Sequence, residues 1–349
     1  MDIGRVGPGK KRPLGVGEEM ELNEYLYLSG EVVKNFRKPR GPDSGFDDLD
    51  LGDEDSFAAD PELVSASVAG FRRQLEYLRR DWTPIALSEA VTTLQQGAPL
   101  PPRAVAITFD DGHVDNYSNA FPLLREHGLS ATIFLSTGYV GGQQAFWFDR
   151  IATLLHRAPA GEWRCGTLTE PLRLDDVASR RREKERLLCE LKRVPDSRRL
   201  ELIDELESLL GAHAGPTNTV PSGVLDWAQV REMSAGGIEF GSHAVSHPVL
   251  SMQTDDAVRR ELRDSRALIE QATGRAADIL AYPVGKPYAF DTRVVRIAQE
   301  CGYRAALAYI DGVNDRGTLD PFALRRISVE RYYSHSLFIA RLALPRIFV

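Results

Sequence analysis

Ala104-Val-Ala-Ile-Thr-Phe-Asp-Asp-Gly-His113 is the most sharply punctuated segment of the 349-residue chain. Six residues, Ala104 to Phe109, form a short apolar and β-branched run. Pro101 and Pro102 precede it, and Asp110-Asp111-Gly112 stops it, which predicts a buried strand ending in a polar turn. A helix is expected over Asn116–His127 with Gly128 as its stop, followed by a strand over Ala131–Leu135. Strand, helix and strand within about thirty residues make a βαβ unit and therefore a parallel sheet.

The alternation resumes beyond Pro221. Helices are predicted near Asp226–Ser234, over Thr254–Thr273 and over Thr292–Cys301, with strands at Gly237–Gly241, Ile279–Tyr282 and Tyr303–Ala308. Repeated β/α units of this kind point to an α/β fold, a barrel of parallel strands. Upstream, Leu63 to Leu78 carries apolar residues at helical spacing, and Ser88 is placed to cap a second short helix ending near Gln96. Residues 1–60 read as a mobile, acidic extension, with seven acidic residues between Asp43 and Asp55. The main domain is expected over 61–336, with 337–349 as a tail that docks as a terminal helix. Within that domain, residues 150–222 read as a helical insertion: leucines recur at helical spacing among charges from 175 to 211, and Pro195 breaks the run into a hairpin.

Bulk properties exclude several classes. The net charge of −7 disfavours a nucleic-acid binder, which needs a basic face against phosphates. Three separated cysteines without a CxxC pair disfavour a disulfide framework or a cysteine-based zinc site. The basic residues near the N-terminus are not followed by the apolar run of a signal peptide, and no transmembrane segment is seen, so a cytoplasmic location is expected.

In a parallel α/β fold, ligands meet the carboxyl ends of the strands. Three polar clusters fall there: Asp110-Asp111, His243 with His247, and Tyr282-Pro283. Adjacent carboxylates at a strand end point to opposite sides, which favours separate roles, one binding a cation and one handling a proton. Asp-Asp-Gly is also an ordinary turn sequence. Histidines four apart can share one face of a helical turn and offer two imidazoles to zinc. Trp147 and Tyr282 are candidates to stack on a sugar ring, although Trp147 would equally serve to anchor the insertion.

These segments resemble the polysaccharide deacetylase (NodB-type, carbohydrate esterase family 4-like) family. Thr108-Phe-Asp-Asp-Gly112 is similar to its first motif, His243–His247 to its H-x-x-x-H second motif, and Tyr282-Pro-Val-Gly285 to the Y-P-x-G third motif of one branch. Asp115-Asn-Tyr117, Phe121-Pro-Leu-Leu124 and Phe146-Trp-Phe-Asp149 fit as well. The resemblance implies a distorted (β/α) barrel of about seven parallel strands and one divalent metal ion, often Zn2+, on Asp111, His243 and His247. It implies Asp110 as general base in removing an N-acetyl group from an aminosugar or glycoconjugate, a hydrolysis of a C–N bond other than a peptide bond. Tyr282, Pro283 and Trp147 then become candidate substrate contacts.

Two departures stand out. The third motif lacks the arginine that orients the base in many members, as is usual in the branch it resembles. The histidine expected to protonate the leaving amine is also missing, both from Tyr25–Val33 and from Ala323–Val329. Losing a general acid costs about 10²–10⁴ in rate, roughly 3–5 kcal/mol of barrier. His113 and His335 are the candidate replacements, and His113 is the better placed. A related amidase or deformylase with a better leaving group, or a metal-binding pseudoenzyme, are the alternatives. Arg325 and Arg326 are read as solvated or as contacts to an anionic substrate group.

Overall fold

A computed structural model describes residues 25–30, 36–37, 66–166, 168–211, 223–315, 319–330 and 333–347. Seven strands carry the fold: β1 (Tyr25–Gly30), β2 (Ala104–Phe109), β3 (Thr132–Leu135), β4 (Glu239–Ser242), β5 (Ile279–Ala281), β6 (Ala305–Asp311) and β7 (Leu324–Ser328). Each pairs in parallel with the next from β2 to β7, and β1 pairs in parallel with both β7 and β2. The circuit of pairings thereby closes, and the expected α/β barrel of about seven parallel strands is what forms. A register shift between Leu307 and Asp311 in the β6–β7 ladder distorts it locally.

Residues 25–30, assigned by sequence to the extension, are therefore a barrel strand. A six-residue segment far from its partners in sequence carries no local sign of the pairing that recruits it. The rest of the mobile, acidic extension expected over 1–60 (1–24, 31–35 and 38–60) lies outside the described residues.

The continuous apolar run of β2 follows from burial on both faces. Ala104 and Ala106 join Phe134, Ile279, Ala281, Ala305, Leu307 and Leu324 in one buried cluster, while Val105, Ile107 and Phe109 pack outward with Phe71, Leu75, Phe121 and Leu124. The outward residues meet α1 (Val68–Asp81), capped by Ser67, and α3 (Phe121–His127), stopped by left-handed Gly128. Each fully buried Leu or Phe contributes about 1.5–3 kcal/mol. Residues 116–120, expected to open an α-helix, instead make a π-turn leading into α3.

Helix α2 (Leu87–Gln95) adds Leu87, Ala90 and Val91 to the cluster of alanine-rich strand starts. Its N-cap is Ala86 rather than Ser88. Ser88 Oγ donates instead to the Glu239 carboxylate, a tertiary partner that competes with the local cap.

The insertion has its own core. Helices α4 (Trp147–Arg157), α5 (Val177–Leu191) and α6 (Asp196–Gly211) bury Ile151, Leu155, Leu187, Leu191, Ile203 and Leu206 together. Three further helices, α7 (Trp227–Ala235), α8 (Asp255–Thr273) and α9 (Thr292–Glu300), complete the alternation. The C-terminal α10 (His335–Ala343) docks through Phe338 and Leu342 into the same cluster as Phe71 and Leu75. No described helix is long and apolar enough to cross a membrane.

Candidate active site

The chain leaves β2 extended as far as Asp110 and then turns sharply, with Asp111 at φ 71° and Gly112 at φ 79°. A Cβ at Gly112 would sit 2.5 Å from the Leu135 side chain, so the turn needs glycine twice over, for conformation and for space. The left-handed Asp111 overrides the simple strand alternation expected for the pair. Both carboxylates reach the same buried centre, with Asp110 3% and Asp111 1% exposed.

The second motif also meets differently from the expected helical turn. Residues 243–247 form an irregular loop in which Ala244 (φ 63°) and His247 (φ 54°) are left-handed. Glu261 of α8 holds this loop: its carboxylate accepts from the N–H of Val245 at 2.7 Å, the N–H of Ser246 at 2.9 Å and Ser246 Oγ at 2.7 Å. On the other side, the Trp147 indole N–H donates to the His247 carbonyl at 3.3 Å. Backbone bonds from Thr137 and Gly138 to the Ala244 and Val245 carbonyls tie the loop to the end of β3.

This scaffold brings Asp111 Oδ1 to 3.6 Å from His243 Nε2 and 3.3 Å from His247 Nε2. One donor atom from each residue lies within 4.8 Å of the others, and all three side chains are buried. The His243 ring is oriented for ligation. Its Nδ1 lies 2.7 Å from the Ala281 carbonyl, which can only accept, so Nδ1 carries the proton and the Nε2 lone pair faces the cluster. Two imidazoles and one carboxylate, converging and buried, fit a divalent cation.

Asp110 stands beside the cluster in a two-pronged ion pair. Arg326 Nη1 and Nη2 donate to its two oxygens at 2.9 Å each, and Arg326 Nε donates to the Ala308 carbonyl at 3.2 Å. Burial pushes the Asp110 pKa upward, but Arg326 and His243 together outweigh it and hold the carboxyl below its ordinary value. The sequence reading of Arg326 as solvated or substrate-facing is therefore corrected: its partner is the candidate base itself. In β7 Arg326 is buried while its neighbour Arg325 is exposed, because successive side chains of a strand point to opposite faces. Arg326, from β7 rather than the third motif, supplies an arginine contact to Asp110.

His113 is fully buried, with Nε2 3.6 Å from Asp111 Oδ2 and its ring 5.5 Å from that of Phe146. Burial opposes its protonation, but Asp111, Asp149 and Asp115 together raise its pKa above the ordinary value. His335 lies in the outer helix layer beside Tyr77 and Phe338.

The aromatic candidates are placed under the surface. Tyr282 is 0% exposed, stacks on Phe290 at 4.2 Å and donates its hydroxyl to the Phe322 carbonyl at 3.1 Å. Pro283 is also buried. Trp147 is 2% exposed and is covered by the Arg199 guanidinium 4.6 Å from its ring. All three side chains are buried in packing of the rim. Gly285, at φ 59°, lets the third-motif loop approach Tyr309, where a Cβ would lie 2.6 Å from its backbone nitrogen.

A family profile described as polysaccharide deacetylase matches residues 97–306, which include Asp110, Asp111, His113, His243 and His247 but not Arg326. The chain belongs to the polysaccharide deacetylase family. Among relatives, YxkH of Bacillus subtilis (strain 168), named for the same family, is 23% identical over 250 residues, covering 72% of this chain and 60% of that protein. The poly-β-1,6-N-acetyl-D-glucosamine N-deacetylase of Escherichia coli (strain K12) is 32% identical over 85 residues, 24% of this chain and 13% of that enzyme. This polysaccharide deacetylase family member thus spans less than two thirds of either relative. In fold it is similar to the Streptococcus pyogenes deacetylase PplD, solved with acetate, at a TM-score of 0.57 and 16% identity over 92% of this chain and 98% of that one.

Proposed function

We propose that the protein is a metal-dependent hydrolase that removes N-acetyl groups from an N-acetylglucosamine-containing saccharide. The observation that carries this reading is the buried Asp111–His243–His247 cluster beside the Asp110–Arg326 pair. The name of the Escherichia coli relative supports a glucosamine polymer as the substrate class. The donor set favours zinc among common divalent metals.

Asp111, His243 and His247 would hold the ion, which when bound supplies a Lewis acid for the acetamide carbonyl and lowers the pKa of a water. The remaining work falls to the chain. Asp110, kept ionised by Arg326, accepts a proton at its carboxylate as the nucleophile forms. Arg326 fixes the carboxylate plane through two parallel hydrogen bonds. The loop held by Glu261 and Trp147 sets the two imidazoles, so little reorganisation is needed when substrate arrives. His113, against the outer oxygen of Asp111, is assigned the role of orienting that ligand.

The test is metal content together with acetate release from β-1,6-linked N-acetylglucosamine oligomers, comparing wild type with Asp110→Asn. About one metal per chain is expected in both proteins, with acetate release reduced about 10²–10⁴-fold in the variant. Metal binding without acetate from any N-acetylated sugar would reject the deacetylase reading, and failure to bind metal would reject the site.

A further inference from the structure

Two arginines are buried among the described residues, and the fold treats them differently. Arg326, 2% exposed, commits all three guanidinium nitrogens to Asp110 and the Ala308 carbonyl. Arg199, 1% exposed on α6, has one oxygen partner, the Asp196 carboxylate, which accepts from its Nη2. Its Nε and Nη1 are buried without a hydrogen-bond partner among the described residues. The Trp147 ring, 4.6 Å away, covers one face of the guanidinium but accepts nothing in its plane. Burial pulls the Arg199 pKa down to about 10, further than Tyr139 and Glu261 nearby restore it. A buried guanidinium with unmet donors is costly to keep unless something else meets them.

Arg199 lines a cavity of about 550 Å3, a volume within the usual range for a small-molecule pocket. Asp196, Arg199 and Leu200 reach it from the first turn of α6, Tyr139 and Gln144 from the loop after β3, and Arg150 from α4. The start of α6 adds the positive end of its dipole to that wall. The charges select the ligand. Arg150 is already held by Glu207 and Asp204, and Asp196 offsets part of the charge on Arg199. The walls can therefore accept one negative charge, whereas a dianion would bring a second beside Asp196. Arginine donors suit a carboxylate, and the Gln144 amide can donate as well. Tyr139 and Leu200, the latter 41% exposed, supply apolar surface next to these donors. One carboxylate on an apolar body matches all of these walls.

We propose that this cavity binds a small organic acid, its carboxylate on Nε and Nη1 of Arg199 and its apolar part against Tyr139 and Leu200. Because α6 belongs to the insertion and Tyr139 to a barrel loop, the bound acid fastens one to the other. None of Asp111, His243 and His247 lines the cavity, so the site is distinct from the candidate metal cluster and owes nothing to the deacetylase reading.

The experiment measures binding of benzoate, benzamide and inorganic phosphate to the full chain by calorimetry. Benzamide keeps the shape of benzoate and loses its charge; phosphate keeps charge and loses the apolar body. Benzoate is expected to bind with a Kd of about 1 mM or tighter, and the other two at least about tenfold more weakly. Arg199→Met removes the donors while keeping an unbranched stem over Trp147. Leu200→Glu sets a like charge at the exposed edge of the cavity, with Leu200→Gln as the uncharged control, and thermal melts establish folding. Arg199→Met, and Leu200→Glu relative to Leu200→Gln, should each weaken benzoate about tenfold or more and leave benzamide unchanged. If Arg199→Met does not fold, the Leu200 pair decides. Absence of benzoate binding at about 10 mM would overturn the proposal. Benzamide binding as tightly as benzoate would reduce the cavity to an apolar pocket, and phosphate binding more tightly would reject the organic acid. Benzoate binding insensitive to these substitutions would place the acid elsewhere, the metal cluster included, and would equally reject the site.

Discussion

Arg326 and Asp110, 216 positions apart in sequence, close a two-pronged ion pair inside the barrel with both N···O distances at 2.9 Å. The arginine comes from β7 and the carboxylate from the end of β2, strands held together through their shared neighbour β1. The pair joins the two sides of the barrel at the rim where the candidate chemistry sits.

Breaking that pair should change the pH dependence of catalysis. Asp110 is held below its ordinary pKa, so its ionisation contributes stability above the unfolded value near ~3.9 and loses that contribution as pH falls through the lower folded value. In Arg326→Ala, burial is left as the dominant influence and raises the Asp110 pKa. The acid limb of kcat/KM is expected to move to higher pH, and unfolding stability at neutral pH to fall by about 3–5 kcal/mol. An acid limb at its wild-type position would reject Asp110 as the group whose ionisation Arg326 controls.

Glu261 should act on metal affinity at a distance. It satisfies two backbone N–H groups and one hydroxyl in the loop carrying both histidines, without being among the proposed ligands. Glu261→Ala is expected to weaken zinc binding about 10–100-fold in a chelator competition. Retained affinity would mean that the left-handed loop holds its shape without this support.

Trp147→Phe removes only the N–H that reaches the His247 carbonyl and keeps most of the ring under Arg199. A loss of about 0.5–1.5 kcal/mol in stability is expected, with a measurable fall in metal affinity. A stability loss with unchanged metal affinity would confine Trp147 to anchoring the insertion.

His113 offers a comparison of leaving groups. As a residue orienting Asp111, His113→Asn should lower metal affinity and slow the hydrolysis of N-acetylglucosamine oligomers and of an activated aryl acetamide by similar factors. A loss confined to the aminosugar, whose amine needs protonation to depart, would make His113 the general acid instead. Single-turnover rates at saturating metal distinguish the two.

Much of this molecule was legible from local pattern. The apolar run ending in Asp110-Asp111-Gly112, the spacing of His243 and His247, and the leucine-rich hairpin around Pro195 each carry their signal within a few residues. The strand–helix alternation predicted the barrel for the same reason: burying both faces of a parallel strand imposes a continuous apolar run that is visible in the chain. Polar residues at strand ends, which core packing does not require, marked the clusters, and the family resemblance named Asp111, His243 and His247 as the donor set.

Tertiary structure alone decided the rest. Two residues 216 positions apart in sequence carry no local mark of their shared rim, so the Arg326–Asp110 pair could not be read from the chain. The turn at Asp111 and the loop of 243–247 depend on left-handed residues stabilised from elsewhere, by Leu135 packing over Gly112 and by Glu261 of α8. Tyr282 reads from sequence as a candidate sugar platform and Trp147 as either a platform or an anchor for the insertion; only packing determines how much of an aromatic face is exposed, and both side chains are buried. Sequence thus determined which chemical groups gather at the strand ends, because residue type and spacing are local. Their orientation, protonation and exposure came from contacts between segments far apart along the chain.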